Sequence, residues 1–321
     1  VVFVKGSVTS NSHELTCTYA PLVDELEIGQ QVLLSDGLIR LQVEHKLNDR
    51  AICRVIDGGI LRGRQGVNVP GAHFSAPALD VVDLDNARWA VGQGVEYLSL
   101  SFVRRPEEIL QLKELVQAAG GHSQVIAKIE KREALDCLEE IVKATDGVMV
   151  ARGDLGVEIE VQQTPIQQKR IVAVCRKFGK PVIVATQMLE SMHTNRRPTR
   201  AEVSDVANAI LDGADACMLS GETAIGNYPA EAVTMMNRIM LETERAYPDR
   251  EEVRSQMLVP TTNITKAMVQ GAGQIARQLN AQAVVIVADS LAPARYKSQS
   301  RDFIPTIALS GHRHVVRGLA L

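Results

Sequence analysis

From about Ala78 to about Glu244 the sequence alternates short apolar runs with amphipathic segments, at a repeat of about thirty residues, the length that one strand–helix unit requires. This pattern admits few folds, because parallel strands can be joined only by connections that cross back over the sheet, usually as helices. Five strands are read: Tyr97 to Phe102, Gln124 to Ile129, Gly147 to Ala151, Pro181 to Ala185 and Ala216 to Leu219. Between them, segments such as Glu107 to Ala118 and Thr164 to Phe178 carry the apolar period of helices.

Each of these strands delivers polar groups at its carboxyl end: Ser101, Lys128 with Glu130, Arg152 with Asp154, Thr186, and Ser220 with Glu222. In a (β/α) barrel that is the end where active sites are assembled. One such residue is an ordinary loop residue satisfied by its neighbours. Five successive strands doing the same point to one polar centre.

Glu130 and Asp154 are carboxylates at neighbouring strand ends, suited to share a hard cation such as Mg²⁺ or Mn²⁺ through oxygen. The alternative is that each pairs with a local cation such as Lys131 or Arg152. Lys128 stands two residues before Glu130, so on a strand both side chains take the same face. An ammonium beside a divalent cation stabilises charge developing on a phosphoryl group or an enolate; a structural ion pair is the plainer role. In the run Arg152–Gly156, glycine after a strand lets backbone N–H groups approach an anion such as a carboxylate or phosphate, although short loops of this composition are common. Thr186 supplies a hydroxyl at the next strand end, suited to orienting a substrate or relaying a proton.

The flanks have other periods. Residues 1–77 read as a small all-β module, with runs Gln31 to Leu34, Leu38 to Val43 and Ala51 to Ile56 broken by Asp36–Gly37 and Asp57–Gly59. A basic loop, Arg62–Gly66, leaves it. Residues 78–245 form the (β/α) portion. After a charged break at Tyr247–Glu252, residues 246–321 read as a small α/β unit: a helix Ile264 to Leu279, a strand Ala283 to Ala288, a second helical stretch and a strand Pro305 to Leu309, with no evident terminal element. The expected fold is α/β: a partial (β/α)₈ barrel of the TIM type, with a small all-β lid and an incomplete C-terminal α/β domain.

Composition narrows the chemistry. A net charge of −3 and an aromatic content of 3% provide neither the basic stripe nor the stacking platform of a nucleic-acid binder. Five cysteines (Cys17, Cys53, Cys137, Cys175 and Cys217), more than thirty residues apart and without a C-x-x-C pair, suit a reducing cytoplasm. The apolar run Ala283 to Ala288 falls far short of the roughly 20 residues of a membrane helix, so no membrane partner is expected. The chain opens on Val1–Val4, already strand-like and without an initiator methionine, so a longer natural chain is expected at both ends.

The runs Ile126–Glu130, Met149–Glu158, Val184–Met192, Arg197–Glu202, Asp205–Gly213 and Met218–Ala224 resemble the pyruvate kinase family in order and spacing. The resemblance extends through Ser35–Ile39 and Gly66–Gly71 in the front module and becomes loose over the last seventy residues or so. It implies phosphoryl transfer between phosphoenolpyruvate and ADP, giving pyruvate and ATP, with Mg²⁺ or Mn²⁺ required. It further implies that Lys128 stabilises the phosphoryl group in flight and that Glu130 and Asp154 hold the metal. The Gly153 and Asp154 amides would grip the carboxylate, and Thr186 would stand near the enol carbon that is protonated. Lys128, Arg152, Gly153, Asp154 and Thr186 are thus the expected substrate contacts, with Lys128 and Thr186 catalytic. Asp36 is the expected nucleotide contact of the lid, and a cytoplasmic homotetramer the expected assembly.

Some features depart from the family pattern. The three barrel strands that precede the lid in the family, with an arginine that contacts phosphate and the ligands of a K⁺ ion, are not in this sequence. Five strands cannot close an eight-stranded barrel, so poor folding or aggregation of the isolated chain is expected. Ser35 stands where a second aspartate is frequent, and Gln65 where a lysine is frequent, which weakens the expected grip on nucleotide. The last unit resembles the regulatory domain, but its phosphate loop, Ala288–Ala294, keeps Ser290 and has Leu291 and Pro293 in place of small donors, so activation by a sugar bisphosphate is not expected. Two rival readings remain: a catalytically incomplete binding or regulatory chain of the same family, and a metal-dependent oxo-acid aldolase or lyase, which needs no nucleotide lid.

Overall fold

The computed structural model describes residues 1–6, 11–35, 37–63, 65–72, 74–75, 77–246, 261, 263–301 and 304–321. Asp36, Arg64 in the basic loop and the charged break Tyr247–Glu252 lie outside the described residues. The chain separates into two compact units. One comprises Val1–Pro77, Glu130–Arg132 and Gly153–Thr164; the other Ala78–Ile129, Glu133–Arg152 and Pro165–Leu321.

The first unit is built on a six-stranded sheet of β1 (Val2–Val4), β2 (Glu14–Leu15), β3 (Gln31–Leu34), β4 (Ile39–Lys46), β5 (Arg50–Asp57) and β6 (Val67–Asn68). The order is β2-β1-β5-β4-β3-β6, antiparallel except for the β1–β2 pair. Alternation fixes which face is buried. Ile39, Leu41 and Val43 of β4 and Ala51 and Cys53 of β5 point into one core with Phe3, Leu22, Leu26, Val32 and Val69. At the β3–β4 turn Ser35 and Gly37 both take positive φ, 53° and 85°, as tight hairpins require.

The second unit carries an open, five-stranded parallel sheet: β7 (Tyr97–Leu100), β8 (Gln124–Ile129), β9 (Gly147–Ala151), β10 (Val182–Ala185) and β11 (Ala216–Met218), in spatial order β11-β10-β9-β8-β7. The expected β/α alternation is therefore present, with β8 and β9 at the boundaries read from the sequence, β7 ending two residues and β11 one residue earlier, and β10 starting one residue later. Every residue of central β9 is buried, as in parallel sheets covered on both faces. The helices Pro106–Ala118, Thr164–Phe178, Arg200–Asp212 and Pro229–Ala246 connect or follow the strands. Helix Arg200–Asp212 starts with a reciprocal Thr199–Glu202 capping box and stops at Gly213, whose φ of 102° ends it in the left-handed region.

Towards the end of the chain, β12 (Val284–Val287) and β13 (Thr306–Leu309) pair in parallel around the helix Ala292–Gln299. A short helix, Arg313–Gly318, follows, where the sequence suggested no terminal element. Its run of His312, Arg313 and His314 lacks the apolar period by which a helix is recognised. Arg301 anchors this part of the unit, bonding Asp215 Oδ1 at 2.8 Å and the Ala214 carbonyl at 2.9 Å. Among the described residues no helix is long and apolar enough to cross a membrane.

Candidate functional site

Strand pairing aligns the carboxyl ends of the parallel sheet. Leu100 of β7 stands against Ala127 of β8, and Ile129 of β8 against Val150 of β9. Ala151 of β9 stands against Ala185 of β10, and Ala185 against Met218 of β11. Within this unit Ser101, Lys128, Arg152 and Thr186 directly follow or close these pairs, so polar groups from four separate sequence segments share one edge of the sheet.

Ser101 and Lys128 follow the first pair. Lys128 Nζ donates to Ser101 Oγ at 2.9 Å, which fixes the end of a long, otherwise mobile side chain. Glu130 is the residue after β8 and is only 1% exposed. A carboxylate taken so far out of water needs hydrogen bonds, a cation or a metal to compensate its lost hydration. The hard carboxylate oxygens of Glu130 suit Mg²⁺ or Mn²⁺ better than a soft metal. The neighbouring Lys131 forms an ion pair with the buried Glu158.

The run after β9 is a helix rather than a loop. It spans Arg152–Glu158 and begins at the residue after the strand, so Gly153 and Asp154 occupy its first turn. Amides of a first turn have no acceptor inside the helix and favour an anion, and the same dipole favours the carboxylate of Asp154. The sequence has this run open towards a helix, but the start at Arg152 is not legible because the element is short and contains two glycines, Gly153 and Gly156, both unfavourable inside a helix.

Thr186 and Gln187, directly after β10, both take left-handed backbone angles, with φ of 67° and 54°. For a β-branched residue this is a genuine outlier, costing on the order of 1–2 kcal/mol, and such strain persists where surrounding contacts impose it. The Thr186 hydroxyl donates to the Ala185 carbonyl at 2.6 Å.

Arg152 is 9% exposed, and both terminal nitrogens of its guanidinium are engaged within the protein. One terminal nitrogen bonds Asp205, with contacts of 2.8 Å to Oδ1 and 2.7 Å to Oδ2, and Gln168 Oε1 at 3.3 Å. The other donates to the Thr186 carbonyl at 2.8 Å and the Gln187 carbonyl at 3.4 Å. Asp205 and Gln168 did not stand out among the strand-end groups because both lie on helices. The available signal was indirect: an arginine buried directly after a fully apolar strand needs a carboxylate partner somewhere.

Glu222, 1% exposed, accepts from the backbone N–H of Leu189 at 3.0 Å and of Ser220 at 2.8 Å, tying the segments after β10 and β11 together. It also comes together with Glu190 and His193, each offering a ligand atom within 4.8 Å of the others. Glu202 accepts from the Ser191 N–H at 2.7 Å and hydroxyl at 2.6 Å, and from the Thr199 N–H at 2.7 Å. Burial raises the Glu202 carboxyl, but these hydrogen bonds together outweigh it and hold the group below its ordinary range. On β11, burial pushes the Cys217 thiol up to about 11, against the pull of Arg152.

Residues 3–233 match the family model described as pyruvate kinase, barrel domain. A pyruvate kinase of Geobacillus stearothermophilus is 42% identical over 324 residues, which cover 100% of this chain and 55% of that protein. A pyruvate kinase of Staphylococcus saprophyticus is 41% identical over 317 residues, covering 98% of this chain and 54% of the relative. Pyruvate kinase 2 of a Synechocystis strain is 44% identical over 323 residues, with 98% and 54% covered. The chain thus spans about half the length of the curated relatives it matches.

Proposed function

This chain belongs to the pyruvate kinase family, and we propose that it carries the centre for Mg²⁺- or Mn²⁺-dependent phosphoryl transfer from phosphoenolpyruvate to ADP. The observation that carries the reading is the aligned strand-end array, in which Lys128 is fixed beside Ser101 and is followed two residues later by the buried Glu130.

Glu130 and Asp154 are the proposed metal ligands. A divalent cation bound there would draw charge from the phosphate oxygens. The first-turn amides of Gly153 and Asp154 are suited to the substrate carboxylate, and the fixed ammonium of Lys128 to the equatorial oxygens of the transferring phosphoryl group. Such preorganised charge is where most of the catalysis of phosphoryl transfer resides. The bond from phosphorus to the enol oxygen breaks as one forms to a terminal oxygen of ADP. The enolate left behind gains a proton at its terminal carbon to give pyruvate. The Thr186 hydroxyl, held on a strained turn, is the proposed group at that carbon, orienting the water or acid that supplies the proton.

Residues 1–77 are the proposed lid over the nucleotide, with Asp36, outside the described residues, as its contact; residues 78–245 carry the centre, and 246–321 the proposed regulatory part. Cytoplasmic location and homotetramer assembly are proposed by family membership. The test is pyruvate formation from phosphoenolpyruvate by the chain, with and without ADP, beside Lys128→Met. ADP-dependent turnover that falls by about a thousandfold or more in Lys128→Met is expected, the scale of losing a principal transition-state charge. Pyruvate release without ADP, undiminished turnover in Lys128→Met, or no turnover by the unaltered chain would contradict the proposal.

A further inference from the structure

We infer that the buried Arg152 and the half-exposed Asp205 form a clamp that holds the Thr186–Gln187 turn in its strained form, so that both are positioning residues for the proton-transfer half of the reaction rather than substrate contacts. The inference deepens the function proposed above and rests on it for the identity of the reaction.

Three observations converge. The first is the turn itself, because two successive non-glycine residues with positive φ do not hold that form by local preference. The second is that the same terminal nitrogen of Arg152 reaches the carbonyl oxygens of both strained residues, Thr186 at 2.8 Å and Gln187 at 3.4 Å. A planar guanidinium holds its two terminal nitrogens in a rigid fork, so the carbonyls reached by one are fixed relative to the carboxylate held by the other as well as to β9. The third is that the opposite edge is taken by Asp205, 2.7 and 2.8 Å away, with Gln168 at 3.3 Å. The clamp is completed from the far side by helix Arg200–Asp212, leaving a side chain 9% exposed with its terminal nitrogens already engaged.

The topology explains why an arginine is used. Ala151 and Ala185 are paired, so Arg152 and Thr186 leave adjacent strands at the same level. A side chain starting at Arg152 has to turn along the sheet edge to reach the next turn's carbonyls, which takes a long stem with several donors. Lysine has the length, but its single ammonium lacks the fork. The Thr186 hydroxyl is attached to the clamped residue, so its direction is set by the backbone angles that the clamp imposes. Loosening the clamp should therefore misdirect the hydroxyl while leaving the groups that bind phosphate and carboxylate in place.

The experiment compares Asp205→Asn, Arg152→Lys and Asp205→Glu with the unaltered chain in two independent readouts. Amide hydrogen exchange over the segment around residues 184–190, followed by mass spectrometry, reads the turn without reference to any reaction. Exchange there is expected to speed up by about tenfold in Asp205→Asn and Arg152→Lys, and to return towards the original rate in Asp205→Glu, which keeps the charge. Deuterium entry into the pyruvate methyl group in heavy water reads the proton step alone. It is expected to fall by about tenfold or more in the first two variants, with the KM for phosphoenolpyruvate changed by less than about threefold. A KM that rises steeply at unchanged kcat would make Arg152 a substrate contact and overturn the inference, as would unchanged amide exchange. A chain that supports neither turnover nor methyl exchange in its unaltered form would count against the proposed reaction, whereas the amide-exchange arm would still decide the clamp. If Asp205→Asn fails to fold, the Arg152→Lys pair of readouts carries the same decision.

Discussion

Lys128 Nζ reaches across the β7–β8 pair to donate a 2.9 Å hydrogen bond to Ser101 Oγ. The contact links two strand ends that are 27 residues apart in sequence. It gives the ammonium a resting direction before any substrate arrives. A hydrogen bond to a charged group contributes about 1.5–3 kcal/mol. Ser101→Ala is therefore expected to lower kcat by roughly tenfold while the KM for phosphoenolpyruvate moves little, because what is lost is orientation rather than charge. Steady-state kinetics check this. An unchanged kcat would show that Lys128 is positioned by the substrate alone.

Glu202 ties the turn around Ser191 to the first turn of helix Arg200–Asp212, and its carboxyl is held below the ordinary range. A carboxyl depressed in the folded state stabilises the fold fully above its unfolded pKa, and that stabilisation is lost as pH falls through the folded value. Glu202→Gln should cost about 1–2 kcal/mol at about pH 7, and the gap to the unaltered chain should shrink as pH falls below about 4. Urea unfolding at several pH values measures it. A gap that stays constant in acid would contradict the ionic account of this cap.

Burial also governs the thiols. It pushes Cys53 and Cys217 up to about 11 and raises Cys175 further still. Since the thiolate is the reactive form, iodoacetamide at about pH 8 should leave these three unmodified until denaturant is added. Peptide mass spectrometry reads the outcome. Alkylation of Cys175 in the native chain at the rate of a small free thiol would contradict its full burial on helix Thr164–Phe178.

What was legible in the sequence depended on whether the signal was local. The apolar runs that became β8 and β9 have their ends marked by Lys128–Glu130 and Arg152, so strand boundaries and the polar edge could be read together. Parallel pairing then follows from the β/α repeat alone. Partners could not be read, because they depend on register. Ser101 meets Lys128 only because Leu100 is opposite Ala127, and Arg152 reaches Thr186 only because Ala151 is opposite Ala185. The charge that completes Arg152 lies 53 residues away on a helix. The strain at Thr186 and Gln187 was equally hidden, since nothing in their side chains favours a positive φ. Short elements rich in glycine or histidine, Arg152–Glu158 and Arg313–Gly318, escaped periodicity altogether.

The account turns on whether the ends of β8 and β9 hold a divalent cation together with phosphoenolpyruvate. Titration of Mn²⁺ into the chain, followed by water proton relaxation with and without phosphoenolpyruvate, asks this directly and requires no turnover. Glu130→Gln and Asp154→Asn are each expected to weaken binding by about tenfold or more and to abolish the enhancement by phosphoenolpyruvate. His193→Ala, which alters the separate Glu190–His193–Glu222 grouping, is expected to leave both unchanged. Mn²⁺ affinity that survives both carboxylate substitutions and disappears in His193→Ala would place the cation elsewhere and contradict the assignment.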